Sequence, residues 1–283
     1  MAESPTPGSA ALRIRLGARL RQLRESAGIT AQQAAKAIRG SDSKISRIEL
    51  GRHAAREIDV NDLLTLYGVT GPEREALLAL ASQALAPAWW QRYNDVLPAW
   101  FQAYLGYEEA AESVLSYDTH FVPGLLQTPG YAAGLLDAAD FGAGERDRLL
   151  AVRAERIERF AASGWRLTAV IDEAVLHRPV TGPEVLAAQL LHLREAATWP
   201  GVSMRVRPLA AGAPLTPAGF TILRFAGGEP PDVVYTEQLT SASYLDRPAD
   251  VARYTAALGM LMASSQPADQ AGAVIDSVLA RLN

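Results

Sequence analysis

Twelve consecutive residues, Ser41-Asp-Ser-Lys-Ile-Ser-Arg-Ile-Glu-Leu-Gly-Arg52, concentrate hydroxyl, carboxylate, ammonium and guanidinium groups at the spacing of a short helix. With Ser41 as its cap, this helix turns Asp42, Ser43, Lys44 and Arg47 outward and Ile45 and Ile48 inward, and Gly51 ends it. Such a face breaks no covalent bond. Its chemistry is hydrogen bonding to base edges and charge pairing with phosphate, helped by the free N–H groups of the helix start. Thr30 can cap a preceding helix whose buried side is Ala34, Ala35 and Ile38, small enough to let the next helix approach, and Arg39-Gly40 forms the turn between them. The two together have the layout of a helix-turn-helix.

Other chemistry finds little footing. The four histidines, His53, His120, His177 and His192, are scattered with no i, i+4 pair, and the absence of cysteine removes thiolate metal sites and disulfides. No metal site and no cofactor is expected. No Walker-type loop, Gly-x-Ser-x-Gly elbow or dinucleotide fingerprint is present. Asp172-Glu173 is read as helix capping ahead of a catalytic carboxylate pair, and His120 as a core histidine ahead of a pocket group. The expectation is a protein that is not an enzyme and has no catalytic residues.

Several elements must position the polar helix. Leu16, Leu20, Leu23 and Ala27 repeat at spacings of four, three and four on a first helix that Gly28 stops. Asp59 with Asp62 reads as a capping box opening a fourth helix through Leu63, Leu64, Leu66 and Tyr67, and Thr70-Gly-Pro-Glu73 starts a fifth. Charge follows the same division. Residues 1–56 hold eleven Arg or Lys against four Asp or Glu, whereas the remainder holds sixteen against twenty-seven. A basic front and an acidic body suit a protein that meets phosphate with one end only.

Ser-Lys-Ile-Ser-Arg-Ile-Glu-Leu-Gly-Arg (43–52), after Leu-Arg-Gln-Leu-Arg-Glu-Ser-Ala-Gly (20–28), resembles the Cro/repressor, or XRE, helix-turn-helix family over residues 12–70. The resemblance implies that Asp42, Ser43 and Arg47 read bases and that Lys44 and Arg52 contact the DNA backbone. It also implies an internal ion pair between Arg24 and Glu49. The family's usual glutamine after the capping Thr30 is replaced by Ala31, leaving Gln32 or Gln33 to take its place. Asp42 has two readings, a base contact suited chiefly to the cytosine amino group or a charge at the helix start.

Beyond residue 84, aromatics cluster: Trp89, Trp90, Tyr93, Trp100, Phe101, Tyr104 and Tyr107. They read first as an anchor packing head onto body, and the second reading is a ligand or partner pocket of Trp89, Trp90, Tyr93, Trp100, His120 and Phe121. An apolar loop follows at 119–132, then helices at 131–136 and 144–162 and a strand at 165–172. Thr181-Gly-Pro-Glu184 opens another helix. Strands are expected at 202–207, 220–225 and 233–236, and helices at 248–264 and 268–282. The fold class is α+β, mostly helical: a disordered stretch at 1–11, a five-helix helix-turn-helix domain at 12–84, and a larger helical domain at 85–283 with a sheet of about four strands.

Val-Pro-Gly-Leu-Leu-Gln-Thr (122–128) and Ile-Asp-Glu-Ala-Val-Leu-His-Arg-Pro-Val (171–180) resemble the large C-terminal domain of unknown function joined to XRE heads in actinobacterial regulators, WhiJ-like and antitoxin-like ones among them. The partners this implies are double-stranded DNA carrying a pseudo-palindromic operator, a second copy in a homodimer, and a small partner protein. A small-molecule-sensing repressor and a module neutralising a partner protein stay open as alternatives. With no apolar run of about 18 residues and no signal segment, a cytoplasmic protein without membrane contact is expected.

Overall fold

The computed structural model describes residues 9–282 apart from 140, 165, 181, 214, 215, 217 and 229. The chain divides into two compact units, Met1–Asn94 with Pro98–Ala111 and Phe225–Asp232, and Asp95–Leu97 with Glu112–Arg224 and Val233–Asn283. Of the stretch expected to be disordered, residues 1–8 lie outside the described residues, while 9–11 already belong to the first helix.

The first unit contains α1 (Ser9–Ser26), α2 (Ala31–Ala37), α3 (Asp42–Glu49), α4 (Glu57–Leu66) and α5 (Gly71–Ala84), then a 3-10 turn at Trp89–Tyr93 and α6 (Ala99–Ala110). Leu16, Leu20, Ala34, Ala35, Ile38, Ile45, Ile48, Leu63 and Leu64 share one core. Helix α1 buries more than this stripe, because Gly106 of α6 lies near Ala10 and Ile14 on another of its sides. At Gly17 the end of α3 comes so close that a Cβ would sit 2.3 Å from the Ile48 carbonyl oxygen. Only a glycine permits that spacing.

Helices α1 to α4 end alike. After each, the N–H of the residue in the left-handed region bonds three residues back and the next N–H bonds five back, the paired closure that satisfies orphan carbonyls. Thus Gly28 bonds Glu25 and Ile29 bonds Arg24, while Gly51 bonds Ile48 and Arg52 bonds Arg47. Gly68 and Val69 do the same on Thr65 and Leu64. After α2 the left-handed position is Arg39, at φ 51°, with Gly40 completing the closure on Ala35.

The start of α4 differs from the sequence expectation. The helix begins at Glu57 with Arg56 at the cap position and no side-chain cap bond, so Asp59 does not open it. Asp59 faces inward instead and is buried among charged partners.

The second unit holds a six-stranded sheet in the order β3-β2-β1-β4-β5-β6, where the sequence suggested about four strands. In chain order these are β1 (Ser113–Asp118), β2 (Arg166–Asp172), β3 (Val202–Arg207), β4 (Phe220–Arg224), β5 (Val233–Glu237) and β6 (Ala242–Leu245). The first three are parallel and the rest antiparallel to their neighbours. Helices α7 (Pro129–Ala138) and α8 (Ala143–Ser163) make the first crossover, and α9 (Glu173–Leu176) with α10 (Pro183–Ala196) makes the second. Helices α11 (Pro248–Ala263) and α12 (Ala271–Leu282) finish the chain. Leu258 and Leu261 of α11 pack on Tyr117, Val170, Phe220, Ile222 and Val234 of the sheet.

The Val-Pro-Gly-Leu-Leu-Gln-Thr segment is a buried connection whose backbone needs partners. Two buried glutamines supply three of them. Gln127 donates to the Val122 carbonyl at 2.8 Å, and Gln189 donates to the Leu126 carbonyl and accepts from the Thr128 N–H, both at 2.7 Å. Arg153 of α8 donates to Gln127 Oε1 at 2.6 Å, and burial pulls its guanidinium down to about 10. Asp172 caps α9 through the Ala174 N–H and receives the Tyr117 hydroxyl. Thr181, expected to cap α10, lies outside the described residues, and Gly182 holds the cap position.

Candidate nucleic-acid interface

Thr30 and Gln33 form a reciprocal cap at the start of α2. The Thr30 hydroxyl accepts from the Gln33 N–H at 3.2 Å, and Gln33 Oε1 accepts from the Thr30 N–H at 2.8 Å. Both glutamines, Gln32 and Gln33, are exposed, but Gln33 is tied into the helix start by this cap. One turn further, Ala34 and Ala35 are buried, which lets α2 and α3 lie close.

Ser41 caps α3, its hydroxyl accepting from the Lys44 N–H at 3.2 Å. Ile45 and Ile48 are 0% and 2% exposed, and this burial fixes which way the rest of the helix faces. Asp42, Ser43 and Arg47 are exposed. Arg47 Nε donates to the Ser43 carbonyl at 3.2 Å, so the guanidinium lies along the outer face toward the helix start. Arg52, just past the glycine that ends the helix, is exposed as well.

Two ion pairs hold this arrangement from beneath. Arg24 of α1 reaches Glu49 of α3 through Nε at 2.6 Å and Nη2 at 2.9 Å, and Arg24 Nη1 also donates to the Ile29 carbonyl. The Glu49 hydrogen bond, more than any other influence, raises the Arg24 pKa. Lys44 does not point outward as read from the sequence: its ammonium lies 2.9 Å from Oδ2 of Asp59 in α4.

Residues that the sequence left out also belong here. Arg56 grips the same carboxylate, Nε to Oδ2 at 3.0 Å and Nη2 to Oδ1 at 2.7 Å. The Arg56 hydrogen bond, followed by Lys44, holds the Asp59 carboxyl below the usual carboxylate range against the opposing effect of burial. A buried acid on the apolar side of a helix, next to Val60 and one turn before Leu63, was the available signal.

The aromatic residues divide between the units. Trp89, Trp90, Tyr93 and Trp100 belong to the first, where the Trp89 and Trp90 rings meet edge-on at 5.6 Å and Trp90 packs near Gly106. Trp90 and Tyr93 are buried. His120 and Phe121 belong to the second unit, are exposed, and have ring centroids 6.4 Å apart, with Thr119 Oγ1 2.8 Å from His120 Nδ1. Among the described residues no group of three His, Asp or Glu could hold a metal ion, and no helix is long and apolar enough to cross a membrane.

Residues 15–77 match the family model for a helix-turn-helix domain, which covers α2 and α3 and the helices that support them. Residues 101–277 match the domain of unknown function DUF5753. The chain belongs to the DUF5753 family. The match starts inside α6 and ends in α12, so the family domain begins within a helix of the first compact unit. No curated protein and no solved structure gives a significant match to the chain. A helix-turn-helix domain joined to DUF5753 suggests a DNA-binding regulator.

Proposed function

We propose that the chain is a sequence-specific transcriptional regulator that reads duplex DNA with the outer face of α3. The observation that carries this reading is the division of α3 itself. Ile45 and Ile48 are sealed into the head, and Asp42, Ser43 and Arg47 stand exposed beside a capped N-terminus. Ser43 and Arg47 are the base-reading groups, with Asp42 next to them. Gln32, Arg52 and the N–H groups at the start of α2 behind Thr30 meet phosphate. Arg24 with Glu49 and Gln33 with Thr30 keep the two helices in place, and the basic bias of residues 1–56 favours approach to a polyanion. The reader acts as a homodimer on a pseudo-palindrome, and the DUF5753 domain receives the signal from a small partner protein.

Duplexes enriched from a random pool by the full-length chain give the test. Arg47→Ala should weaken the enriched site by about tenfold or more, as loss of a good base contact does. Equal affinity of the variant and the parent for that site would overturn the assignment. Sedimentation of the protein with and without the enriched duplex reports whether two copies assemble on it.

A further inference from the structure

Lys44 of α3 and Arg56, the residue just before α4, converge on one carboxylate, Asp59, whose side chain is 3% exposed. Both carboxylate oxygens are occupied, Oδ2 by Lys44 and Arg56 Nε, and Oδ1 by Arg56 Nη2. Lys44 lies in the first turn of α3, one residue from Ser43, and is itself mostly covered. The Arg56 side chain is 68% exposed although two of its nitrogens are bound to Asp59. The carboxylate thus faces inward to one cation and holds the other at the surface.

We infer that Asp59 is a positioning residue for DNA reading: it sets the rotation of the first turn of α3 through Lys44 and holds Arg56 in place for a phosphate. The inference rests on the DNA-binding reading and adds to it how specificity is secured. Ser41 caps α3 through the backbone, which fixes where the helix starts but leaves its rotation to side chains. Ile45 and Ile48 hold the middle and end of the helix, and Arg24 holds its last turn through Glu49. The first turn, which carries Asp42 and Ser43, has Lys44 with Asp59 as its tie to α4. Arg56, already fixed by two hydrogen bonds, loses less side-chain freedom on meeting an anion than a free arginine would.

Charge alone predicts the opposite of positioning, and this separates the two. Removing the negative charge of Asp59 should strengthen attraction to any duplex, because the protein becomes more cationic near phosphate. Removing a positioning group should weaken the enriched duplex relative to a scrambled one. In Asp59→Asn of the full-length chain we expect the ratio of affinities for these two duplexes to fall by about tenfold, with scrambled-duplex affinity unchanged or higher. Should Asp59→Asn fail to fold by circular dichroism, Lys44→Met keeps the Asp59–Arg56 pair and should lower the same ratio. Arg56→Gln should weaken both duplexes alike and reduce the slope of log affinity against log salt by about one.

A folded Asp59→Asn or Lys44→Met variant that keeps the parent ratio, even with a lower melting temperature, overturns the inference while leaving DNA binding intact. Failure of the parent chain to enrich any duplex overturns the DNA-binding reading and the inference with it.

Discussion

The hydroxyl of Tyr107, near the end of α6, donates to the carbonyl of Leu50, 3.0 Å away, at the C-terminal cap of α3. A residue within the DUF5753 match therefore satisfies one of the orphan carbonyls of the helix that presents Asp42, Ser43 and Arg47. Tyr107 also lies against Phe225, ring centroids 6.3 Å apart, within the same compact unit.

Tyr107→Phe keeps the ring and removes the donor. The expected loss is about 1 kcal/mol, the usual net value of one such hydrogen bond. Urea unfolding followed by tryptophan emission can measure it, since Trp89, Trp90 and Trp100 lie in this unit. An unchanged midpoint would show that the bond contributes nothing.

Gly17→Ala sets two effects against each other. Alanine favours the helix by about 1 kcal/mol. The added Cβ, however, would meet backbone atoms of Ile48 and Glu49 at 2.3 to 2.9 Å, and no flexible side chain is there to yield. Overpacking of this kind costs about 1 to 3 kcal/mol, and backbone contacts push toward the upper end, so net destabilisation is expected by calorimetry. Stabilisation would mean that α1 and α3 can separate freely.

Arg39→Gly should act in the other direction. The left-handed conformation costs a residue with a Cβ roughly 1 to 2 kcal/mol, and glycine gives back roughly 0.4 to 1 through the freer unfolded chain. The balance is a gain of roughly 0.5 to 1 kcal/mol in urea unfolding. Arg39→Val, branched at Cβ, should lose stability at the same position.

Much of the head was legible because its signals are local. Thr30, Ser41 and Gly51 mark helix ends within three or four residues of the groups they bond, and Ile45 with Ile48 shows the buried side of α3 by spacing alone. Arg24 and Glu49 came from family resemblance and do meet. Asp59 reads as a cap from its spacing to Asp62, whereas one of its two partners, Lys44, lies fifteen residues away on another helix, and local patterning does not report that pair. Strand β6 hid for a related reason. Ala242 and Ser243 have weak strand preference, and the strand exists because Ser243 and Tyr244 pair with Thr236 and Tyr235. In β1, Ser116 and Asp118 interrupt the apolar pattern of a strand that is central in the sheet.

Asp118 ends β1, with Oδ2 accepting from the Ser116 hydroxyl at 2.6 Å. The residue keeps a strip of accessible surface, but its carboxyl sits deep among protein atoms, and this burial pushes it up to about 7. Since the folded pKa lies above the unfolded value of about 4, the folded state holds the proton more tightly. Asp118 therefore imposes no penalty below about pH 4, and stability falls as pH rises from there through about 7. Asp118→Asn should remove this part of the pH dependence, so that the variant gains on the parent between pH 5 and pH 8 in paired urea titrations. An identical difference at both pH values would refute the assignment.

Because α6 covers Ala10 and Ile14 and supports Leu50, a helix-turn-helix head cut at residue 84 loses cover on α1 and a partner for the end of α3. A functional transplant has to carry residues 98–111 with it, and with them the opening of the DUF5753 domain. A foreign head joined to this body at residue 84 would instead meet Gly106 and Tyr107 of this α6 with its own first helix and the end of its third, so the two surfaces have to match at that seam.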